Sequence, residues 1–418
     1  MKLSYVIITR NRREALLSTL AKLEQNTGLP RRSWETIVVD NASDDGSPEA
    51  VGKKFRSAKI IRLPENEGMP ARNHGFKKAR GRYVCMLDDD SYPEAGAIAK
   101  SIAHLERSPK TAAVVGRVVL PDGSLEGPAM PCVLLGGASV VRKTVLDQTG
   151  GFSPEFFRQA EEYDLSFRIL RGGHAIDRFE DVVFRHEKVA GGRSSALVHR
   201  MDLRNNLTLV ERYLPKPLRR AYRHDWIRRY TALARGAGHA DAAKTGMYEA
   251  LVWARRERTV GRQTLDEMTV EAIFQLRAQA DAVAAWRSGH GAKRVVVADF
   301  SKNLFATFRA CREAGLEIMA VADDREAFAG MRYRGVPILN SADALARGAD
   351  GVVVSNVNPA QMDARARQVR ERFAGPVLTL WEPRYLEPPK DAPTTIAPTT
   401  PLPTAPLPNP NKPGTRAA

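Results

Sequence analysis

The sequence predicts an α/β fold whose mostly parallel sheet is covered by helices on both faces. Two observations predict it. Short β-rich apolar runs alternate with stretches of helical periodicity through the first half of the chain. The strand ends also collect polar groups, at Thr9-Arg10-Asn11, Asp40-Asn41 and Asp88-Asp89-Asp90, and open sheets of this class bind ligands beyond the carboxyl ends of their strands.

The elements follow in order. Residues 3–8 form a β-rich run, and residues 13–23 place Leu16, Leu17, Leu20 and Leu23 on one helical face. A second strand over 36–39 ends in the loop signal from Asp40 to Ser47. A short helix over 48–55, a strand over 59–63 and a helix over 70–80, with Pro70 at an early position, come next. The fourth strand is 83–87. Shorter strands and Gly/Pro turns fill 112–141, and Gly150-Gly151-Phe152 leads into a helix over 161–170.

Residues 216–235 form a basic helix with Leu218, Tyr222, Trp226, Tyr230 and Leu233 along one stripe. Two readings of it stand: a stripe buried on the preceding domain with solvated arginines, or a helix lying on an anionic membrane. A helical stretch with a capping box at Thr264-x-x-Glu267 follows. Near Gly291 the pattern restarts, with strands over 295–298, 316–322, 351–355 and 377–380 and helices over 304–314 and 360–373. The predicted organisation is therefore a domain over 1–215, a helical extension over 216–290, a smaller α/β domain over 291–386, and a tail over 387–418. That tail holds ten prolines and is expected to be disordered, with polyproline character.

Lys and Arg number 64 against 48 Asp and Glu, a formal charge of +16 that favours anionic partners. Nucleotides and acidic lipid surfaces fit; nucleic acid does not, because no recognisable reading module accompanies the charge. Cys85, Cys132 and Cys311 are far apart and lack C-x-x-C spacing. They are expected to be reduced thiols in a cytoplasmic protein, peripheral at most to the inner membrane face. No secretory leader is expected, because a strand starts directly after Met1. No apolar stretch approaches the ~18–20 residues of a membrane span.

The run Tyr83-Val84-Cys85-Met86-Leu87 leads straight into three carboxylates. Such a cluster repels itself and resists desolvation unless a cation or a polar network compensates it. A hard cation such as Mg2+ or Mn2+, held by carboxylates together with phosphate oxygens, meets that need. Asp40 at the end of the second strand suits a nucleotide base, or simply an Asx turn. Arg72 can reach diphosphate oxygens as a fork, or belong to a solvated basic helix face with Lys77, Lys78 and Arg80.

Several motifs in order, covering about residues 1–215, resemble the family 2 glycosyltransferases of GT-A fold. They are Val6-Ile7-Ile8-Thr9-Arg10-Asn11-Arg12, the stretch from Val38 to Ser47, Glu65-Asn66-Glu67-Gly68 with Ala71-Arg72-Asn73-x-Gly75, the Asp triplet, Gly150-Gly151-Phe152, Glu161-Glu162-Tyr163-Asp164-Leu165 and the late His186. The resemblance implies donor contacts from Thr9, Arg10, Asp40, Asn41, Asn66, Arg72, Asn73, Asp88 and Asp89. It implies a metal on Asp90, with Asp88 and His186 contributing, where the cation neutralises the diphosphate leaving group.

Inverting transfer needs one base on the face opposite the leaving nucleotide. Glu162 holds that position where the family usually has Asp, with Glu161 and Asp164 as alternatives; all three also complement a helix dipole. Gly136 and Gly137 either offer close backbone approach to an acceptor or simply make a turn. The expected activity is inverting, metal-dependent transfer from a nucleotide-diphosphate sugar, UDP-linked for preference, to a glycan, lipid-linked or protein hydroxyl. The alternatives are a catalytically silent nucleotide- or sugar-binding scaffold and a nucleotide-sugar pyrophosphorylase-like enzyme. The second α/β domain resembles Rossmann-like sugar- or nucleotide-binding modules, yet its loop Asp299-Phe300-Ser301-Lys302-Asn303 lacks the phosphate-cradling glycines. An accessory or dimerising role is the other expectation for it.

Overall fold

The computed structural model describes residues 1–188 and 195–387. The proline-rich tail expected beyond residue 387 lies outside the described residues.

The first sheet has nine strands: β1 (Leu3–Thr9), β2 (Trp34–Asp40), β3 (Lys59–Arg62), β4 (Tyr83–Asp88), β5 (Ser91–Pro93), β6 (Thr111–Val119), β7 (Leu125–Glu126), β8 (Ser139–Arg142) and β9 (Ala175–His186). They run in the order β3-β2-β1-β4-β8-β6-β9-β5, with β7 beside β6. The four strands from β3 to β4 are parallel, and β8 enters antiparallel between β4 and β6.

Every residue of β1 and β2 is buried, as expected of parallel strands covered on both faces. Alternate residues feed two cores. Val6 and Ile8 join Val39, Val84 and Met86 on one side, while Leu3, Tyr5 and Ile7 join Val38, Cys85 and Leu87 on the other. Register then brings the polar ends together. Thr9 pairs with Asp40, Ile8 with Asp88, and Ser91 on β5 with His186 on β9.

The helix Arg13–Asn26 buries Leu16, Leu20 and Leu23 as its periodicity predicts, whereas Leu17 is only half-buried. Thr19 takes the fourth inward place and donates from Oγ1 to the Asp89 carbonyl at 2.8 Å. The expected helix over 70–80 is shorter, Arg72–Lys78, after a 3-10 turn over Met69–Ala71. Helices Ala97–Arg107, Lys143–Thr149 and Ala196–Tyr213 were not anticipated.

The basic helix Lys216–Gly236 turns its aromatic stripe inward, to the second sheet as well as the first. Tyr222 and Trp226 are fully buried. The Tyr222 hydroxyl donates to Asn303 Oδ1 at 2.5 Å, and Trp226 Nε1 donates to the Lys302 carbonyl at 2.8 Å. The capping box expected at Thr264 is replaced by Asp266, which caps Glu267–Phe274 by accepting from the Thr269 amide at 2.7 Å.

The second sheet comprises β10 (Arg294–Ala298), β11 (Glu317–Ala322), β12 (Arg332–Tyr333), β13 (Val336–Leu339), β14 (Gly351–Val354) and β15 (Val377–Thr379). Its order is β12-β13-β11-β10-β14-β15, parallel except for the β12–β13 pair. Counting from β10, the parallel strands run 3-2-1-4-5, as in doubly wound nucleotide-binding sheets. The end of that sheet is occupied by protein: beside the Lys302 and Asn303 contacts, Asn358 Nδ2 donates to the Gly127 carbonyl at 3.2 Å. No helix among the described residues is long and apolar enough to cross a membrane. The three cysteines are unpaired.

Candidate active site

A cavity of about 680 Å3 opens beyond the carboxyl ends of β1, β2 and β4. Thr9, Asn41, Asp88, Gly136, Glu162 and His186 are among the residues that line it.

Each aspartate of the triplet has its own partner. Arg72 Nη2 donates to Asp88 Oδ1 at 2.5 Å. Asp89 accepts from Thr9 Oγ1 at 2.9 Å and lies 2.9 Å from Arg12 Nη1. Asp90 takes Arg12 Nη2 at 2.7 Å and stands 3.1 Å from His186 Nε2. His186 Nδ1 in turn meets Glu126 at 2.8 Å.

Burial is the largest influence on both inner aspartates, with opposite outcomes. It pushes Asp89 up to about 7, beyond what Arg12 offsets. For Asp90 burial is outweighed by the hydrogen bonds and charges of His186 and Arg12, which hold its carboxyl below the usual range. The same pairing raises His186 to about 9 against the effect of its burial, through Asp90 and Glu126. Ligand atoms of Asp88, Asp90 and His186 all lie within 4.8 Å of one another. Two carboxylates and an imidazole at that spacing fit a divalent cation of the Mn2+ type.

On the nucleotide side, Asp40 is buried; Oδ2 accepts the Ser43 amide at 3.4 Å, and Oδ1 has no hydrogen-bond partner among the described residues. Asn41 is committed to the next loop. Its Nδ2 donates to Asn66 Oδ1 at 2.8 Å and the Gly68 carbonyl at 3.1 Å, and its Oδ1 accepts the Glu67 amide at 2.9 Å. Asn41 and Asn66 thus shape the cavity wall through their own bonds. Gly68 is required there: its φ is +71°, and a Cβ would stand 2.1 Å from the Phe157 carbonyl oxygen. Arg10 is exposed at the rim.

Three residues expected at the donor do not line the cavity: Asp40, Arg72 and Asn73. Arg72 is fully buried and donates to the Leu87 carbonyl at 3.1 Å as well as to Asp88, so its fork holds the β4 terminus instead of reaching into the cavity. Asn73 clamps Phe152, donating to its carbonyl at 2.7 Å and accepting its amide at 2.9 Å.

The opposite wall begins the helix Glu161–Arg171. Gln159 and Ala160 precede it at φ of +69° and +63°, strained backbone for residues with a Cβ. Glu162 is half-buried, lines the cavity and accepts a short hydrogen bond from the Gly136 amide. Glu161 is buried with Oε2 unpartnered among the described residues. Burial raises both carboxyls, and for Glu162 the adjacent Glu161 charge adds to it.

Asp164 is not available as an alternative base. It is fully buried, absent from the cavity lining, and accepts from Ser153 at 2.6 Å, Arg168 at 2.7 Å, Arg212 at 3.0 Å and Tyr213 at 2.7 Å.

Gly136 and Gly137 sit between the two walls. A Cβ at Gly136 would stand 3.0 Å from Glu162 Oε1, and one at Gly137 would stand 3.0 Å from Asp88 Oδ2.

Three cavity or near-cavity groups were not singled out from sequence. Arg12 lies inside the first motif and was legible as a cation beside the triplet. Glu126 left no signal. Lys302, on the loop after β10, stands behind the lining, its Nζ 3.4 Å from the Tyr163 ring centroid and 4.9 Å from that of Trp226. Burial pushes its ammonium down to about 7.

Residues 4–159 match the family model described as Glycosyl transferase family 2. The uncharacterized glycosyltransferase YwdF of Bacillus subtilis (strain 168) is 34% identical over 107 residues, covering 25% of this chain and 39% of that protein. The poly(ribitol-phosphate) beta-N-acetylglucosaminyltransferase TarS of Staphylococcus aureus (strain MW2) is 26% identical over 234 residues, covering 50% of this chain and 40% of that one. The chain thus spans about two fifths of the length of these relatives. Among solved structures, S. aureus TarS 1-349 in complex with UDP-GlcNAc aligns with a TM-score of 0.49 at 15% identity, over 81% of this chain and 98% of that one.

Proposed function

We propose that the chain, whose residues 4–159 match the Glycosyl transferase family 2 model, is a family 2 glycosyltransferase of GT-A fold that moves a sugar, with inversion, from a nucleotide-diphosphate donor to an acceptor hydroxyl. UDP is the preferred nucleotide and is tested first. A glycan is the preferred acceptor, with lipid-linked and protein hydroxyls tested beside it. The observation that carries the reading is that the Asp88–Asp90–His186 cluster and Glu162 line one cavity, with Gly136 and Gly137 between them.

Each group has a task in this reading. Asp40, with a buried oxygen lacking a partner, receives the base of the nucleotide. Asp88, Asp90 and His186 would hold the cation, Mg2+ or Mn2+, which supplies charge neutralisation for the departing diphosphate. Arg12 keeps Asp89 and Asp90 oriented, and Arg72 keeps Asp88 at the strand end. Glu162 accepts the proton of the acceptor hydroxyl as that oxygen attacks the anomeric carbon from the face opposite the nucleotide. The Gly136 amide fixes its carboxylate meanwhile.

The test is nucleotide release and sugar transfer across a panel of nucleotide sugars, with Mg2+, Mn2+ or EDTA. Transfer is expected to need the divalent ion and to fall at least ~100-fold in Glu162→Gln, the scale of a lost general base. Metal-dependent transfer persisting in Asp90→Ala overturns the metal assignment, and full transfer in Glu162→Gln overturns the base. A second reading, donor binding without turnover, is favoured by the compensation of the triplet by Arg12, Arg72 and His186. Tight nucleotide-sugar binding with no transfer to any acceptor class would establish it.

A further inference from the structure

The helix Ala240–Val260 is amphipathic in the reverse sense. Its inward face carries the small residues Ala243, Gly246, Ala250 and Ala254. A Cβ on Gly246 would stand 2.2 Å from the Arg200 carbonyl oxygen, so this face seats closely on Ala196–Tyr213. The large apolar side chains point out: Met247, Tyr248, Leu251 and Val252 are 36%, 70%, 63% and 55% exposed. A surface helix of a water-soluble body normally does the opposite. With Val260, this helix holds five of the nine large apolar side chains exposed among the described residues, a concentration that marks an interaction surface.

Charge identifies the partner. On the same face Lys244 precedes the apolar turns, and Arg255, Arg256 and Arg258, all exposed, follow them. The acids of this helix are engaged: Asp241 with Lys244, Glu249 with Arg200 and Glu257 with Arg212.

We propose that this face docks on an anionic lipid bilayer, with the helix lying in the interface plane. Met247, Tyr248, Leu251 and Val252 enter the headgroup–acyl boundary, and Arg255, Arg256 and Arg258 meet lipid phosphates. A second copy fits less well. An antiparallel pairing centred on Leu251 sets Arg258 of one helix against Lys244 of the other at both ends, and a parallel pairing sets arginine against arginine. The inward face of Ala240–Val260 seats on the helix Ala196–Tyr213, whose Val198 lines the cavity.

Co-sedimentation of the full chain with vesicles tests this and needs no sugar donor. Binding is expected to phosphatidylcholine vesicles containing phosphatidylglycerol and not to phosphatidylcholine alone, and to weaken as salt rises. Partitioning should fall at least tenfold both in Leu251→Asp/Val252→Asp and in Arg255→Glu/Arg256→Glu/Arg258→Glu, with thermal unfolding unchanged. Tyr248→Gln serves as the apolar test if the first variant folds poorly. No vesicle binding overturns the proposal. So does undiminished binding of the apolar variants, which would assign attachment to the net charge of +16 at large. Sedimentation velocity showing a dimer that Leu251→Asp dissolves, without vesicle binding, would assign the face to a second copy and likewise overturn it.

Discussion

At the residue scale, three adjacent carboxylates are tolerated because their compensation is divided among Arg72, Arg12 with Thr9, and His186. Among the described residues Glu161 and Glu162 lack an equivalent cation in direct contact, and their carboxyls are raised by burial. An acid whose folded value exceeds its unfolded value binds more protons in the native state, so stability falls as pH rises from the unfolded value, 4.5, through the raised one. Glu162→Gln is therefore expected to raise the melting temperature at neutral pH while removing transfer, with thermal denaturation and turnover measured on one preparation. Glu161→Gln should move the acid limb of the pH–rate profile downward, because it removes the charge that helps hold Glu162 protonated. Thr9 and Asp40 were legible as strand-end groups because parallel register fixes them on one edge. Arg72 was not. From sequence it reads as a fork on diphosphate oxygens or as a solvated arginine beside Lys77, Lys78 and Arg80, and only the fold shows its guanidinium sealed against the Leu87 carbonyl.

At the scale of elements, the helix Glu161–Arg171 separates two acidic tasks by about half a turn, onto opposite faces. Glu162 faces the cavity, while Asp164 knots the helix to Arg168, Arg212 and Tyr213. Sequence spacing left these roles interchangeable, since both residues occupy an acidic first turn; burial distinguishes them. Asp164→Ala leaves two arginines short of a buried partner and should cost about 3–5 kcal/mol of stability, seen as a lower denaturant midpoint. Gly68→Ala should cost at least ~1–3 kcal/mol from backbone conformation alone, with a further loss from the Phe157 clash, and should weaken nucleotide binding in calorimetry. Strands and helices with strong periodicity were readable. Ala196–Tyr213 was not, because it buries Asn205, Asn206, Glu211 and Arg212 beside its apolar residues and blurs its own stripe.

At the scale of the molecule, the two sheets meet through the helix Lys216–Gly236 and the loop after β10. The restart of the strand pattern near residue 291 made the second sheet foreseeable. Its use as a brace was not, since no local signal ties Lys302 to Tyr163. Burial, joined by the Arg229 charge, outweighs the favourable charges of Asp202 and Glu162 and lowers the Lys302 ammonium to about 7. A base so lowered releases its proton on folding, so stability rises with pH between that value and 10.5. Lys302→Met should accordingly stabilise the protein most at and below pH 7, with the advantage shrinking as pH rises, as melting curves across that range would register.

Lys302 also bears on portability. The family match ends at residue 159, but Tyr163, adjoining the proposed base, leans on a side chain almost 140 positions later in the chain. Transplanting the N-terminal sheet onto a different C-terminal half, or exchanging it between homologues, would strip that support from beneath the helix of Glu162. Chimeras should regain transfer when the loop after β10 travels with the sheet, and recombination points are better sought beyond it than at the family boundary.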